Sequence, residues 1–271
     1  HSEALAMLEY GLFDRTGIVL ITGEIGCGKT TLVRELLSNK EDEVVVGIIN
    51  NTHRDFGELL KWVALSFGLE YRNKEKVELY ETLVIFLREL EAQGKKATLI
   101  IDEAQNMDEA ALEELRMLSN INVDKEQVLQ LILVGQPELK ETMLKPELRQ
   151  FVQRIAIDYY LQPLEPKEVF EYIQHRMKVA GGDPDVFDVD AAIAVYRYSH
   201  GVPRLINILC DTALVYAYAQ SLEHINAEMI DEVALDKKQE SILPLHGFSD
   251  ADTCSTEESW GARHVPLDVN G

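Results

Sequence analysis

The chain has 271 residues, 46% hydrophobic and 27% charged, the profile of a globular protein with room for one large or two smaller cores. Its 47 acidic and 26 basic residues leave a formal charge of −21, opposite to the balance that holding duplex DNA favours, so a nucleic-acid role is disfavoured. No apolar run reaches the roughly 18 residues of a membrane span, and Cys27, Cys210 and Cys254 lack both even pairing and zinc spacing, so free thiols are expected.

The first twenty residues lack a basic start followed by an apolar block, so no secretory leader is expected. The chain begins at His1, and natural residues upstream of it are expected. A cytoplasmic protein fits this reading, with any inner-membrane association made through partners or missing segments.

The first predicted element is a β-rich run at 18–22, and it leads into Gly23-Glu24-Ile25-Gly26-Cys27-Gly28-Lys29-Thr30. This matches G-x-x-x-x-G-K-[ST] between a strand and a helix predicted over 29–37, the context that the motif requires. Backbone N–H groups of such a loop wrap a phosphate, and the helix that follows turns its positive end toward the anion. Lys29 then reaches the β- and γ-phosphates of ATP, Thr30 binds Mg²⁺, and Thr31 completes the nucleotide-binding set. The bland alternative is a glycine-rich turn. The charge of Lys29 and the helix start are expected to lower the Cys27 thiol pKa.

Further strands are predicted at 44–49 and 98–101, with helices at 56–67 and 76–93 between them. The second strand ends in Asp102-Glu103, where ligands bind in parallel sheets. Asp102 is the candidate Mg²⁺ ligand and Glu103 the base for the attacking water; the alternative is a solvated turn. The carboxylate beside the metal-binding Asp favours hydrolysis over transfer by a small-molecule kinase, which must exclude water.

A helix at 109–118 and a strand at 128–134 lead to Gln136, a candidate for orienting water beside the γ-phosphate or a turn residue before Pro137. Arg149 and Arg154 precede a fifth strand at 155–160. An arginine from a neighbouring subunit would stabilise charge on the transferring phosphoryl group, and Arg154 is favoured over Arg149; an ordinary surface ion pair is the alternative.

Beyond Pro163 the periodicity is helical, over 167–179, 189–198, 203–219 and 227–235. Arg204 opens one of these helices beside Pro203. A cation at a helix start is locally unfavourable, which points to an anion, either the γ-phosphate or an internal carboxylate. The pattern implies an α/β nucleotide-binding domain over 1–162 with a five-stranded parallel sheet, a helical lid over 163–240, and a tail over 241–271.

Together, the phosphate loop, Asp102-Glu103-Ala104-Gln105, Val134-Gly135-Gln136-Pro137-Glu138-Leu139, Leu148-Arg149-Gln150 and Gly201-Val202-Pro203-Arg204-Leu205-Ile206-Asn207 are recognisable. Over nearly all of residues 1–236 the chain resembles the general secretion pathway protein A (ExeA-like) group of AAA+ ATPases, which includes pilus-biogenesis and exosortase-linked polysaccharide-export relatives. The resemblance implies a P-loop AAA+ fold with Walker A at 23–30, Walker B at 99–103, Gln136 as sensor 1 and Arg204 as sensor 2. It also implies an oligomeric ATPase serving an envelope secretion or export system. The alternative is a DNA-associated helper ATPase of the transposition-regulator kind, which shares the core.

Overall fold

The structure is a computed structural model that describes residues 17–38, 44–50, 58–123, 126–240 and 245. The chain divides into two compact units, residues 1–163 and 164–271.

The strands of the first unit are β1 (Ile18–Gly23), β2 (Val44–Ile49), β3 (Lys96–Ile101), β4 (Asn122–Val123), β5 (Glu126–Gln127), β6 (Leu129–Gly135) and β7 (Ile155–Leu161). Five of them form a sheet in the order β2-β3-β6-β1-β7, every neighbour parallel. β4 and β5 make a separate two-residue antiparallel ladder, too short for any hydrophobic period to reveal.

The strands are apolar on both faces because both faces are covered, as a parallel sheet requires. Ile18, Leu20, Leu99, Ile101, Leu131 and Leu133 join one core. Val19, Ile21, Ile100, Ile132 and Val134 join the other. The second face packs on α1 (Lys29–Ser38) through Val33, Leu36 and Leu37. The first face packs on α2 (Leu59–Ser66), α3 (Lys76–Ala92) and α4 (Glu109–Leu118). On α3, Leu79, Leu83, Leu87 and Leu90 are buried at helical spacing, and the helix starts with a capping box between Glu75 and Glu78. The start of the helix expected over 56–67 lies outside the described residues. Two short helices, α5 (Glu138–Met143) and α6 (Arg149–Val152), and 3₁₀ turns at Ala104–Asn106 and Pro146–Leu148 fall below the length at which periodicity speaks.

The second unit is built from α7 (Pro166–Val179), α8 (Val189–Ser199), α9 (Pro203–Gln220) and α10 (Ala227–Glu240) around one apolar cluster. α7 opens with Pro166 and a Glu165/Glu168 capping box, and Asp188 caps α8 by accepting from the Ala191 N–H at 2.7 Å. α10 runs past the apolar pattern, which stops at Leu235, through Asp236 and four polar residues with good helix propensity. Of the expected tail only Leu245 is described, and it packs against this cluster; the rest lies outside the described residues.

Candidate functional site

The strands β3, β6 and β1 lie side by side and run the same way, so the segments leaving them converge at the carboxyl edge of the sheet. Where β1 leaves, a Cβ on Gly23 would stand 2.7 Å from the Leu161 carbonyl oxygen, so only glycine fits beside β7. Gly26 (φ 85°) and Gly28 (φ 91°) then turn the loop through left-handed conformations. Cys27 N–H donates to the Glu24 carbonyl at 3.3 Å, and α1 begins at Lys29. The Lys29 ammonium donates to the carbonyls of Gly23 at 2.8 Å and Glu24 at 2.9 Å, so its charge sits across the loop. Phosphate oxygens are natural competitors for those donors.

One position on, the Thr30 hydroxyl donates to Asp102 Oδ2 at 2.7 Å, tying α1 to the end of β3. These two oxygens are the hard donors that Mg²⁺ takes when substrate phosphates and water complete its octahedron. Among the described residues no group of three or more His, Cys, Asp or Glu forms an all-protein cage, so an ion here would be shared with phosphate. The pair opens onto a small cleft also lined by Arg34 and Asn50.

Asp102 Oδ1 accepts the Glu103 N–H at 2.9 Å, and the Asp102 N–H donates to the Ile49 carbonyl at 2.9 Å. Glu103 itself is left-handed (φ 55°, ψ 37°), a conformation that costs a non-glycine residue about 1–2 kcal/mol. Its carboxylate accepts from Gln136 Nε2 at 3.3 Å and from Gln105 Nε2 at 2.5 Å. A carboxylate on a strained turn beside a polar amide can take a proton from a water that the amide orients.

Residues 23–30, Asp102, Glu103 and Gln136 are thus gathered at one edge, with Glu24, Ile25 and Thr31 exposed at its rim. The arginines are elsewhere. Arg154 immediately precedes β7, and its carbonyl accepts the N–H of Ile18 at 3.0 Å, where β1 enters the sheet. It therefore lies at the opposite edge, about 20 Å from the phosphate loop by strand rise, with Arg149 a turn further upstream. Arg204 is exposed in the first turn of α9, in the second unit. None of these three side chains has an ion-pair or hydrogen-bond partner among the described residues.

The expectation for Cys27 is overturned. Its side chain is buried, and burial pushes the thiol pKa up despite the opposing charge of Lys29, with Glu24 adding to the rise. The loop folds the sulfur inward, which the motif does not disclose.

Two residues at this edge escape the sequence pattern. Gln105 bridges Glu103 and Gln136 from the 3₁₀ turn after β3; its place in the Asp102–Gln105 string was the only signal. Tyr160 on β7, in register with Thr22, donates its hydroxyl to Glu24 Oε1 at 3.2 Å. Burial, then the Glu24 carboxylate, raises its pKa.

Comparison with known proteins places this geometry. An AAA domain family matches residues 13–143. General secretion pathway protein A of Aeromonas hydrophila is 40% identical over 227 residues, which cover 83% of this chain and 41% of that protein. The chain therefore spans less than half the length of that relative. Among solved structures, the fold is similar to ORC2 of Aeropyrum pernix, in ADPNP–ADP complexes, with a TM-score of 0.66 at 16% identity over 89% of this chain and 68% of that one. It is also similar to Cdc6p of Pyrobaculum aerophilum, with a TM-score of 0.67 at 18% identity over 86% and 65%. The RuvB Holliday junction branch migration motor of Thermotoga maritima matches with a TM-score of 0.54 at 18% identity over 87% and 66%. The helices of the second unit include none long and apolar enough to cross a membrane, and this holds for all described residues. With its five-stranded parallel sheet, phosphate loop and helical unit, the chain belongs to the AAA-domain P-loop proteins of the general secretion pathway protein A group.

Proposed function

We propose that this chain hydrolyses ATP to ADP and phosphate with Mg²⁺, and that Glu103 is the base. The observation that carries the reading is the Glu103 carboxylate, held on a left-handed turn beside Gln136 at the end of the neighbouring strand. The N–H groups of residues 23–30 and the Lys29 ammonium hold the β- and γ-phosphates. Thr30 and Asp102 would hold Mg²⁺, which would supply positive charge beside the phosphate oxygens. Glu103 takes a proton from the attacking water, and Gln136 orients that water.

Arg154 is the arginine supplied to a neighbouring subunit's site, with Arg149 the alternative. Its place at the opposite edge of the sheet, without a partner among the described residues, supports delivery in trans. Arg204 answers to the γ-phosphate from the helical unit. The work done by hydrolysis is the assembly or regulation of an envelope secretion or polysaccharide-export system, in line with the relative's name.

The deciding experiment is Glu103→Gln. The variant binds Mg-ATP with wild-type affinity and turns it over about tenfold more slowly or worse; unchanged turnover gives the base to another group. The likeness in fold to a branch migration motor favours a second reading, a DNA-associated helper ATPase of the transposition-regulator kind. The charge of −21 weighs against it. DNA retention at physiological salt with a steep salt dependence, or DNA-stimulated hydrolysis, reverses the ranking.

A further inference from the structure

The tight contact between Gln105 and Glu103 sits within a larger arrangement. The Gln105 side chain spans two strand ends: Oε1 accepts the backbone N–H of Gln136 at 3.1 Å, and Nε2 donates to Glu103 Oε2 at 2.5 Å. The two partners settle which end of the amide is which, because a backbone N–H can only donate and a carboxylate only accept. Both ends of the bridge are seated. Gln105 stands in a 3₁₀ turn closed by Asn106 N–H to the Glu103 carbonyl at 3.0 Å and Met107 N–H to the Ala104 carbonyl at 3.1 Å, with Ala104 fully buried. At the other end Gly135 leaves room for the amide, since a Cβ there would stand 3.2 Å from Gln105 Oε1 and 2.7 Å from Leu139 Cδ2. Gly135 has no positive φ, so the glycine serves clearance and not backbone conformation.

We propose that Gln105 is a positioning residue for hydrolysis: it locks the Glu103 carboxylate to the end of β6, so that base and water-orienting Gln136 move as one unit. The inference rests on the reading of Glu103 as the base. A carboxylate on a strained turn has other rotamers open to it, and a neutral amide donor selects one of them. The β6 end carries Gln136, so a shift of that strand end on nucleotide binding reaches the base through the Gln105 bridge as well as through the Gln136 amide itself.

The test is Gln105→Met, which keeps length and volume and removes both hydrogen bonds. Mg-ATP affinity stays within about twofold while kcat falls about tenfold or more. A double-mutant cycle with Glu103→Gln, read in single turnovers, separates positioning from a general structural defect. If Gln105 acts through Glu103, adding Gln105→Met to Glu103→Gln slows it by less than about twofold; an equal loss in both backgrounds overturns the proposal. Amide exchange needs no turnover: in Gln105→Met the Gln136 amide exchanges about tenfold faster while Leu131 to Val134 keep their protection. Unchanged protection at Gln136 removes the bridge and the proposal with it. Wild-type protein that binds Mg-ATP without hydrolysing it instead overturns the reading of Glu103 as base, and the exchange result then tells that failure apart from a missing bridge.

Discussion

Replacing Gly201 by alanine should break the helical unit where α8 hands over to α9. His200 already leaves α8 left-handed at φ 45°, and Gly201 continues at φ 75°. Its carbonyl accepts the Leu164 N–H at 2.9 Å, pinning the start of the unit to this turn. An added Cβ would stand 1.9 Å from the Leu164 carbonyl oxygen and 2.9 Å from the Leu164 nitrogen. Three terms follow. The left-handed conformation costs alanine about 1 kcal/mol. Parting the backbones loses a hydrogen bond worth about 1 kcal/mol. The displaced packing adds about 1–3 kcal/mol, for a total of about 3–5 kcal/mol. Gly181 is the internal control, with φ 77° but nothing within 4 Å of its Cβ, so Gly181→Ala should cost about 1 kcal/mol or less. Urea titration of the whole chain by far-UV circular dichroism, with amide exchange of α8 and α9, measures both. Equal losses in the two variants would refute the reasoning, because only the clash with Leu164 distinguishes them.

Stability should also fall in alkali. Burial, then Asp211, drives the Cys210 thiol far above its ordinary pKa, and burial raises Cys27 in the same direction. Below the ordinary thiol value both states are protonated and the contribution is complete. As pH climbs past it the unfolded thiol ionises and the folded one does not, so about 1.4 kcal/mol is lost per pH unit for the deeply buried Cys210. Urea midpoints between about pH 8 and 10 should decline, less so in Cys210→Ala; an identical slope in that variant counts against the assignment. For the arginine, Arg154→Ala subunits should be inactive alone and regain turnover on mixing with Glu103→Gln subunits, which supply the missing guanidinium. No rescue, with specific activity constant on dilution, would remove the oligomeric reading.

The phosphate loop, the acids after β3 and the succession of strands and helices were legible because each is a local pattern: glycine spacing, an apolar run ending in carboxylates, continuous apolar runs alternating with a period of 3.6. The five sheet strands fall where the apolar runs predict, within about two residues at their ends, the usual boundary error. The ladder of β4 and β5 and the short helices were not legible, being too short for any period to repeat. Cys27 shows the limit at a single residue. Its neighbour Lys29 is visible in the sequence, but the burial that outweighs that charge is not. The same holds for Gln105: its identity is plain, while its two hydrogen bonds depend on strands β3 and β6 lying side by side although far apart in the chain.

What the sequence determined by itself was the chemistry on offer: a glycine-spaced loop before a helix, a hydroxyl and carboxylates able to hold a divalent ion, a candidate base, and candidate arginines for an anion. What only the tertiary structure decided was which of these meet. The strand order sets Asp102, Glu103 and Gln136 against the loop and sends Arg154 to the far edge. Sequence separation carries no information on that pairing, because hydrogen bonds between parallel strands are blind to how far apart in the chain their partners stand.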